Sequence, residues 1–280
     1  MPIETILNRL ERMSGLDMFG RKLGRVYTKV VRPGRVRDVL SGTFMRHPAH
    51  PALTDMTIGA WTSAIVLDMF GARRGSEILV GVGALSAVPT AITGLNDLSD
   101  ITDNQTRSVA VAHAAGNVAS LSLFVASYFA RRSGAHRRGV ALAWTGFAVL
   151  NAAGYLGGHL SFRRGVGVNQ TAFDDPIRSW TPVLDAGELH DEKPVRVGVD
   201  GTDVMLYGSR GKIYALSNRC THRGGPLHKG KIADGCVTCP WHLSVFRIDD
   251  GEIVRGPAIA PAVTFETRIH EGKIEVRSHD

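Results

Sequence analysis

Two short stretches decide the fold of the second half of this chain: Cys220-Thr221-His222-Arg223-Gly224-Gly225-Pro226-Leu227-His228 and Cys239-Pro240-Trp241-His242. In each stretch a cysteine is followed closely by a histidine, and sixteen residues separate His222 from Cys239. Each stretch therefore offers one thiolate and one imidazole to a shared metal centre. The glycines and the proline favour a tight loop whose backbone N–H groups approach what is bound there.

The sequence around these stretches predicts many short strands. Alternating apolar residues at 195–199, 204–207 and 213–216 are separated by the turn pairs Asp200-Gly201 and Arg210-Gly211. Further short strands are predicted near Val237, Val245, Ile253, 263–266 and 274–276. Many short strands with tight turns indicate a small antiparallel barrel or sandwich.

The chain has three cysteines, and all of them lie near these loops. A zinc site made of Cys220, Cys236, Cys239 and a histidine is the competing interpretation, and it would be purely structural. We interpret Cys236 instead as a strand residue that faces the core, because Val237 continues the strand into the second loop. His228 stands outside the paired pattern and is interpreted as a surface residue.

The first half of the chain carries four apolar segments, at 52–70, 78–95, 108–130 and 139–162. A membrane-spanning helix needs roughly 17–25 apolar residues, so these segments predict four spans. The first segment contains Asp55 and Asp68 and fits least well, and Pro89 interrupts the second. A soluble helical bundle is the alternative, but the third and fourth segments carry no charge.

Four spans would bring several ionisable residues to one face of the membrane. They are His47, His50, Asp55, Asp97, Asp100, His113 and His159. Ionisable groups inside a membrane are functional candidates, and a pair such as His113 and His159 on facing helices could ligate a haem. The alternative is that both are structural and bond to nearby aspartates or to Asn117.

The distribution of charged residues and of turn-forming residues sets the expected domain order. The net charge is +7, and ten Lys and Arg residues precede residue 50. We predict a basic N-terminal arm at 1–46, a transmembrane domain at 47–162, a linker at 163–178 and a cluster domain at 179–280. No nucleic-acid-binding signature is present. Contact with membrane lipid is expected instead, in a bacterial inner membrane, multi-pass, with both termini and the cluster domain in the cytoplasm.

Residues 179–280 resemble the Rieske [2Fe–2S] ferredoxin-like domain. The resemblance rests on both ligand loops, the tetrapeptide C-P-W-H and Gly256-Pro257-Ala258 as a third loop. It implies one [2Fe–2S] cluster, with Cys220 and Cys239 on the buried iron and His222 and His242 on the outer iron, near solvent.

This chain departs from high-potential members of that family at several positions. Gly225 and Trp241 stand where those proteins have two further, disulfide-bonded cysteines, and Phe246 replaces a tyrosine. Ser244 is retained as a residue that can bond a bridging sulfide, and Leu243 replaces a common glycine. Fewer hydrogen bonds to sulfur predict a potential in the lower part of the range from roughly −150 to +300 mV.

Residues 47–168 resemble a family of small bacterial four-helix membrane domains of unknown function. The matching features are His50-Pro51, the spacing of His113 and Asn117, and Gly157-Gly158-His159-Leu160. This resemblance implies no activity. The expected fold is therefore multidomain, with an all-α four-helix transmembrane bundle followed by an all-β Rieske-type antiparallel barrel or sandwich.

The expected function is single-electron transfer between redox partners by a membrane-anchored iron–sulfur protein. The alternatives are a subunit of a membrane oxidoreductase whose helical domain binds haem or quinone, a zinc-stabilised structural membrane protein, and a redox sensor. Neither a mononuclear-iron pattern nor a dinucleotide fingerprint is found, so no substrate site of its own is visible. A flavin reductase, a ferredoxin or an oxygenase is the expected type of partner.

Overall fold

The computed structural model describes residues 2–279, and these residues form two compact units. The helical unit comprises the residues up to Arg32 together with Pro48–Val166. The β unit comprises Pro33–His47 and the residues from Gly167 onward. The chain therefore passes between the two units three times, at 32/33, 47/48 and 166/167. The expected order of arm, bundle, linker and cluster domain, with boundaries at 46 and 163, contains fewer such passages.

Seven α-helices lie within residues 2–279. They are α1 (Pro2–Glu11), α2 (Ser14–Val30), α3 (Arg35–Ser41), α4 (Ala49–Met69), α5 (Arg73–Ser99), α6 (Asn104–Arg132) and α7 (His136–Gly158). Helix α7 continues into one π-helical turn, His159–Arg163. Helix α6 begins at a side-chain cap, because the Asp103 carboxylate accepts the Thr106 N–H at 2.8 Å. Helix α3 belongs to the β unit and the other six belong to the helical unit.

Three helical stretches are long and apolar enough to cross a membrane: Arg73–Ser99, Asn104–Arg132 and His136–Arg163. Helix α4 is not among these candidate spans, so the four-helix transmembrane bundle stays a prediction. One of the two aspartates of α4 has a cationic partner, because the Asp68 carboxylate accepts hydrogen bonds from Arg131 at 2.7 and 2.5 Å. The Arg131 side chain is 0% exposed, although this residue follows directly after the third apolar segment.

The segment at 2–30, within the expected basic arm, packs within the helical unit. Tyr27 on α2 donates a hydrogen bond to Asn96 on α5 at 3.1 Å. Asp17 on α2 forms a buried ion pair with Arg107 on α6. Both partners are far away in sequence, which is why local patterning indicated only a basic arm.

The centre of the helical unit is an aromatic pair. Trp61 on α4 stacks on Phe124 of α6 with the ring centroids 4.0 Å apart, and its indole N–H donates to the Val80 carbonyl. Gly83 on α5 makes room for the indole, because a Cβ at this position would lie 2.4 Å from the Trp61 ring. These contacts fix α4 against α5 and α6.

The β unit contains ten strands among its described residues. They are β1 (Thr181–Asp185), β2 (Val195–Val199), β3 (Thr202–Ser209), β4 (Lys212–Ser217), β5 (Lys231–Ala233), β6 (Cys236–Thr238), β7 (Val245–Arg247), β8 (Ile253–Arg255), β9 (Thr264–His270) and β10 (Lys273–Ser278). A six-stranded sheet has the order β1-β10-β9-β4-β3-β2, and a four-stranded sheet has the order β5-β6-β7-β8. All paired strands are antiparallel, which confirms the predicted all-β, barrel-like domain.

The tight turns lie where the sequence predicted them. Asp200 and Gly201 join β2 to β3 with φ of 47° and 85°, and Arg210 and Gly211 join β3 to β4 with φ of 53° and 75°. Two successive residues in the left-handed region are typical of the hairpin turn that matches strand twist.

The β unit has two hydrophobic clusters, and one of them is shared by both sheets. In the shared cluster, Val237 and Phe246 of the smaller sheet are fully buried together with residues of β3 and β4 and with Cys220 and Cys239. The interpretation that Cys236 also faces this core is wrong. Side chains alternate along a strand, and since Val237 faces the core, Cys236 points to the other, half-exposed face.

Candidate metal centre

The first ligand loop is closed by its own backbone. It follows β4, where the Cys220 N–H donates to the Gly225 carbonyl at 2.9 Å and the Gly224 N–H donates to the Cys220 carbonyl at 2.8 Å. Gly224 adopts φ of +74°, a conformation that glycine reaches without steric cost. The turn brings the backbone back over the Cys220 side chain.

The second ligand loop joins β6 to β7 and is closed in the same way. The Cys239 N–H donates to the Ser244 carbonyl at 2.8 Å, and the Leu243 N–H donates to the Cys239 carbonyl at 3.1 Å. Leu243 adopts φ of +65°, which explains why a glycine is common at this place in the sequence family. A leucine there carries backbone strain.

The two thiols meet at the centre of the site. Cys220 and Cys239 are each 1% exposed and hydrogen-bond to each other. That bond and burial raise the pKa of the Cys220 thiol, while the same bond and the backbone N–H groups of Trp241 and His242 lower the pKa of the Cys239 thiol to about 7. Backbone N–H groups aimed at sulfur stabilise negative charge, which is what a metal-bound thiolate carries.

The two imidazoles form a second pair. The rings of His222 and His242 are 5.0 Å apart between centroids and nearly perpendicular, and both side chains are half-buried. Burial lowers the pKa of His222 well below its usual value and that of His242 to about 4. Positive charge on Arg37 and Arg223 acts in the same direction. Both rings are therefore neutral near pH 7, the form that binds metal.

A glycine permits the close approach of the two loops. A Cβ on Gly225 would lie 2.8 Å from the Cys239 sulfur and 3.1 Å from the Trp241 ring. In this chain a side chain at this position would meet both the Cys239 sulfur and the Trp241 ring, so the second loop would have to shift.

The third loop completes the wall of the site. Ala258 is fully buried, and its N–H donates to the Ser244 hydroxyl oxygen at 3.0 Å. Because that oxygen accepts the bond, the Ser244 hydroxyl hydrogen is left to donate to another group. A bridging sulfide as that group stays a prediction from the sequence resemblance.

Helix α3 supports the third loop from a distant part of the chain. The Gly256 N–H donates to the Asp38 carboxylate at 2.9 Å, and Arg46 forms an ion pair with Glu252 at 2.5 Å. Arg37 on the same helix is buried. The sequence alone does not indicate this contribution, because nothing local in 33–47 distinguishes these residues from the rest of a basic segment.

The donor set fits a Rieske cluster better than a zinc ion. Within residues 2–279, no group of three or more His, Cys, Asp or Glu side chains is placed to hold one metal ion, as a structural zinc site requires. A Rieske cluster needs only two protein ligands on each iron. The structure brings together one pair of cysteines and one pair of histidines, whereas Cys236 lies outside this group of four, on the half-exposed face of β6.

The remaining histidines are placed differently from what the sequence suggested. His159 does not meet His113; its Nε2 lies 3.2 Å from the Glu11 carboxylate on α1. His113 instead faces His50, with ring centroids 6.4 Å apart. His228 is half-buried, outside the pair of ligand histidines, and its Nδ1 lies 2.8 Å from the Asn218 side-chain oxygen.

Comparison with known proteins agrees with both halves of this description. Residues 179–266 match the Rieske [2Fe–2S] domain family, and residues 46–170 match the family described as predicted membrane protein (DUF2231).

Similar proteins match about a third of the chain. Apoptosis-inducing factor 3 of Homo sapiens is 36% identical over 75 residues, covering 27% of this chain and 12% of that protein. The anthranilate 1,2-dioxygenase ferredoxin subunit of Burkholderia cepacia is 25% identical over 100 residues, covering 36% of this chain and 93% of that protein. The chain thus spans only about an eighth of the length of the first relative.

Among solved structures, the ferredoxin of carbazole 1,9a-dioxygenase from Nocardioides aromaticivorans is 24% identical. The match covers 36% of this chain and 99% of that one, with a TM-score of 0.34. The family matches and the arrangement of the two loops lead to one assignment: the chain joins a domain of the predicted membrane-protein family DUF2231, residues 46–170, to a Rieske [2Fe–2S] domain, residues 179–266.

Proposed function

We propose that this protein is a membrane-anchored carrier of single electrons between redox partners. The observation that supports this most directly is the arrangement of the two loops, which bring a buried thiol pair beside a half-buried imidazole pair. A [2Fe–2S] cluster bound there supplies a one-electron couple. No side chain needs to act as a nucleophile or as a general acid.

The protein side chains would have distinct roles around that cluster. Cys220 and Cys239 would hold the buried iron, and His222 and His242 would hold the outer iron. Backbone N–H groups of both loops would stabilise charge on the sulfurs.

The exposed rim beside the histidines suits docking of a partner. Trp241 is 50% exposed and Leu243 is 40% exposed, and both lie next to His242 in the second loop. Exposed apolar side chains at the edge of a redox site favour brief contact with another protein. The expected partners are a flavin reductase, a ferredoxin or an oxygenase. The likeness to a dioxygenase ferredoxin subunit supports this class.

We propose four spans in the bacterial inner membrane, with both termini and the cluster domain on the cytoplasmic side. Helix α4 has 21 residues, long enough to cross. The carboxylate of Asp68, which argued against this span, is paired with Arg131, and paired charges are the ones that membrane interiors tolerate. Because Arg131 is buried in this pair, it does not count as a loop charge when orientation is inferred.

The test is low-temperature EPR of the dithionite-reduced, detergent-purified full chain, with iron and sulfide analysis. A rhombic signal with about two irons and two sulfides per chain is the expected result. Cys239→Ser and His242→Ala should lose the signal, whereas the matched variants Cys236→Ser and His228→Ala should keep it. An EPR-silent protein with one zinc and no sulfide would refute the proposal.

A second candidate function is an oxidoreductase in which the helical domain also carries a redox group, haem or quinone. One observation favours it, the facing pair of His50 and His113 inside the helical unit.

A further inference from the structure

Two histidines from different helices face each other inside the helical unit. His50 lies near the start of α4 and His113 lies in the third turn of α6. Their ring centroids are 6.4 Å apart, and the ring planes are nearly perpendicular at 88°. The two residues are 63 positions apart in the chain, so packing of the helices alone brings them together.

Each of these histidines is held in the same tautomer. Nδ1 of His50 lies 2.9 Å from the Thr90 carbonyl oxygen, and Nδ1 of His113 lies 2.8 Å from the Ala153 carbonyl oxygen. A carbonyl only accepts hydrogen bonds, so each Nδ1 carries the proton and each Nε2 carries the lone pair. A backbone carbonyl on the second nitrogen is the usual support of a metal-ligating histidine.

A glycine on a neighbouring helix makes room for each of the two histidine rings. Gly94 stands four residues after Thr90 on α5, and a Cβ there would lie 2.8 Å from Cε1 of His50. Gly157 stands four residues after Ala153 on α7, and a Cβ there would lie 2.9 Å from Cε1 of His113. The α4–α5 pair and the α6–α7 pair therefore repeat one arrangement, with a histidine on the first helix and a carbonyl and a glycine on the second.

The spacing of the rings fits a metal ion between them. A metal–imidazole bond is about 2 Å. Adding roughly 1.2 Å from each nitrogen to its ring centre puts the two centroids about 6.4 Å apart. Perpendicular planes are allowed, because two metal–nitrogen bonds do not fix the angle between the two imidazole planes.

The number of protein ligands selects the kind of metal group. Throughout residues 2–279, no third His, Cys, Asp or Glu joins a pair to form a metal-binding group. A bare metal ion held by two imidazoles would lack ligands, whereas the iron of a haem takes four nitrogens from the porphyrin and needs only two axial ligands. The side-chain nitrogen of Asn117 lies 3.1 Å from Nε2 and 3.4 Å from Nδ1 of His113, so it packs against the ring and does not lie along the lone pair of Nε2.

We propose that the helical unit binds one haem between α4 and α6, with Nε2 of His50 and Nε2 of His113 as its two axial ligands. The site corrects the pairing of His113 with His159 expected from the sequence. This inference rests on the second candidate function, but it is independent of the [2Fe–2S] cluster.

The experiment is an optical and EPR spectrum of the full chain, expressed with a haem precursor in the medium and purified in detergent. We expect about one extractable haem per chain and a six-coordinate, low-spin ferric signal. His50→Ala and His113→Ala should each weaken haem retention by more than about tenfold. His159→Gln, which changes the competing histidine, should retain haem.

Folding failure and ligand loss are separated by chemical rescue. In His113→Gly, added imidazole should restore the six-coordinate spectrum, which an unfolded helical unit could not show. A wild-type chain that carries the Rieske EPR signal but no haem overturns this inference and leaves the electron-transfer proposal standing. Loss of haem in His159→Gln together with retention in His50→Ala overturns the assignment of ligands, and haem without the Rieske signal refutes the proposed function alone.

Discussion

The backbone N–H of Gly256 donates a hydrogen bond to the Asp38 carboxylate at 2.9 Å, across 218 residues of sequence. Gly256 begins the third loop of the metal centre, and Asp38 lies on α3, between α2 and α4 in the sequence. A segment flanked by two helices of the helical unit is thus part of the β unit. Its loss should loosen the loop that covers the site.

Replacing Asp38 tests this support. Asp38→Ala leaves the Gly256 N–H without its charged acceptor, which should cost about 1–3 kcal/mol of the free energy of unfolding. The measurement is the temperature at which the visible absorption of the purified holoprotein bleaches, which should fall by several degrees. Asp185→Asn, with a side chain that is 63% exposed, should leave that temperature unchanged. Equal bleaching temperatures for both variants would contradict the supporting role of α3.

The same helix brings positive charge toward the histidine pair. The Arg37 guanidinium contributes to the lowered pKa of both His222 and His242. Positive charge also favours the reduced, more negative state of a cluster bound there, so Arg37→Gln should lower the reduction potential by about tens of millivolts. A redox titration followed by EPR measures this shift.

Arg35→Gln is the matched control for that titration, because Arg35 is exposed on the same helix. It should change the potential much less than Arg37→Gln. A potential that is unchanged or raised in Arg37→Gln would show that the charge on this helix does not reach the site.

How much of the metal centre could be predicted depends on the range of the interactions. The C-x-H and C-x-x-H spacings are local, and they identified the four candidate ligands and the loops that present them. The contribution of Asp38 and the pairing of His50 with His113 arise from packing between distant segments. No periodicity or spacing in one sequence specifies such a contact.

The helical half shows the same limit. Apolar length predicted the helices α5, α6 and α7 well, because crossing a membrane depends on composition over about 20 residues. Asp68 made α4 look unsuitable, since its partner Arg131 is 63 residues away. Such pairs depend on which faces of the helices meet and at which height along the helix axes. Both are properties of the folded unit.

The close contact between the two ligand loops of this chain should be disturbed by a side chain at Gly225. Gly225→Ala places a methyl group 2.8 Å from the Cys239 sulfur, so the second loop must shift and the donor pairs separate. Iron and sulfide content per chain should fall severalfold. Gly198→Ala is the control, because nothing lies within 4 Å of a Cβ at that position, and its cluster content should equal that of the wild type.

The strained leucine beside the site offers a stabilising change. Leu243→Gly relieves a left-handed backbone conformation, φ of +65°, and removes a side chain that is 40% exposed. We expect a gain of up to about 1 kcal/mol in the free energy of unfolding, measured by chemical denaturation. Leu243→Ala removes most of the same side chain and keeps the strain, so it should show no gain. A similar gain in both variants would attribute the effect to the side chain.

The Asp68–Arg131 ion pair should dominate the stability of the helical unit. Both side chains are buried, with exposures of 1% and 0%, and Arg131 also donates to the hydroxyl groups of Ser76 and Ser127. Arg131→Gln leaves a buried carboxylate without its cation, and breaking such a pair costs about 3–5 kcal/mol. The midpoint of thermal unfolding in detergent should fall accordingly.

A double variant distinguishes the effect of losing the whole ion pair from the effect of leaving one of its charges unpaired. Asp68→Asn with Arg131→Gln removes both charges, so no uncompensated charge remains buried, and most of the lost stability should return. Arg132→Gln changes an arginine whose side chain is 64% exposed and 3.8 Å from Glu77, so it should cost less than about 1 kcal/mol. If the double variant is as unstable as Arg131→Gln alone, neutralising the Asp68 carboxylate is not the main role of Arg131. The arginine would then stabilise the unit through its hydrogen bonds to the two serines.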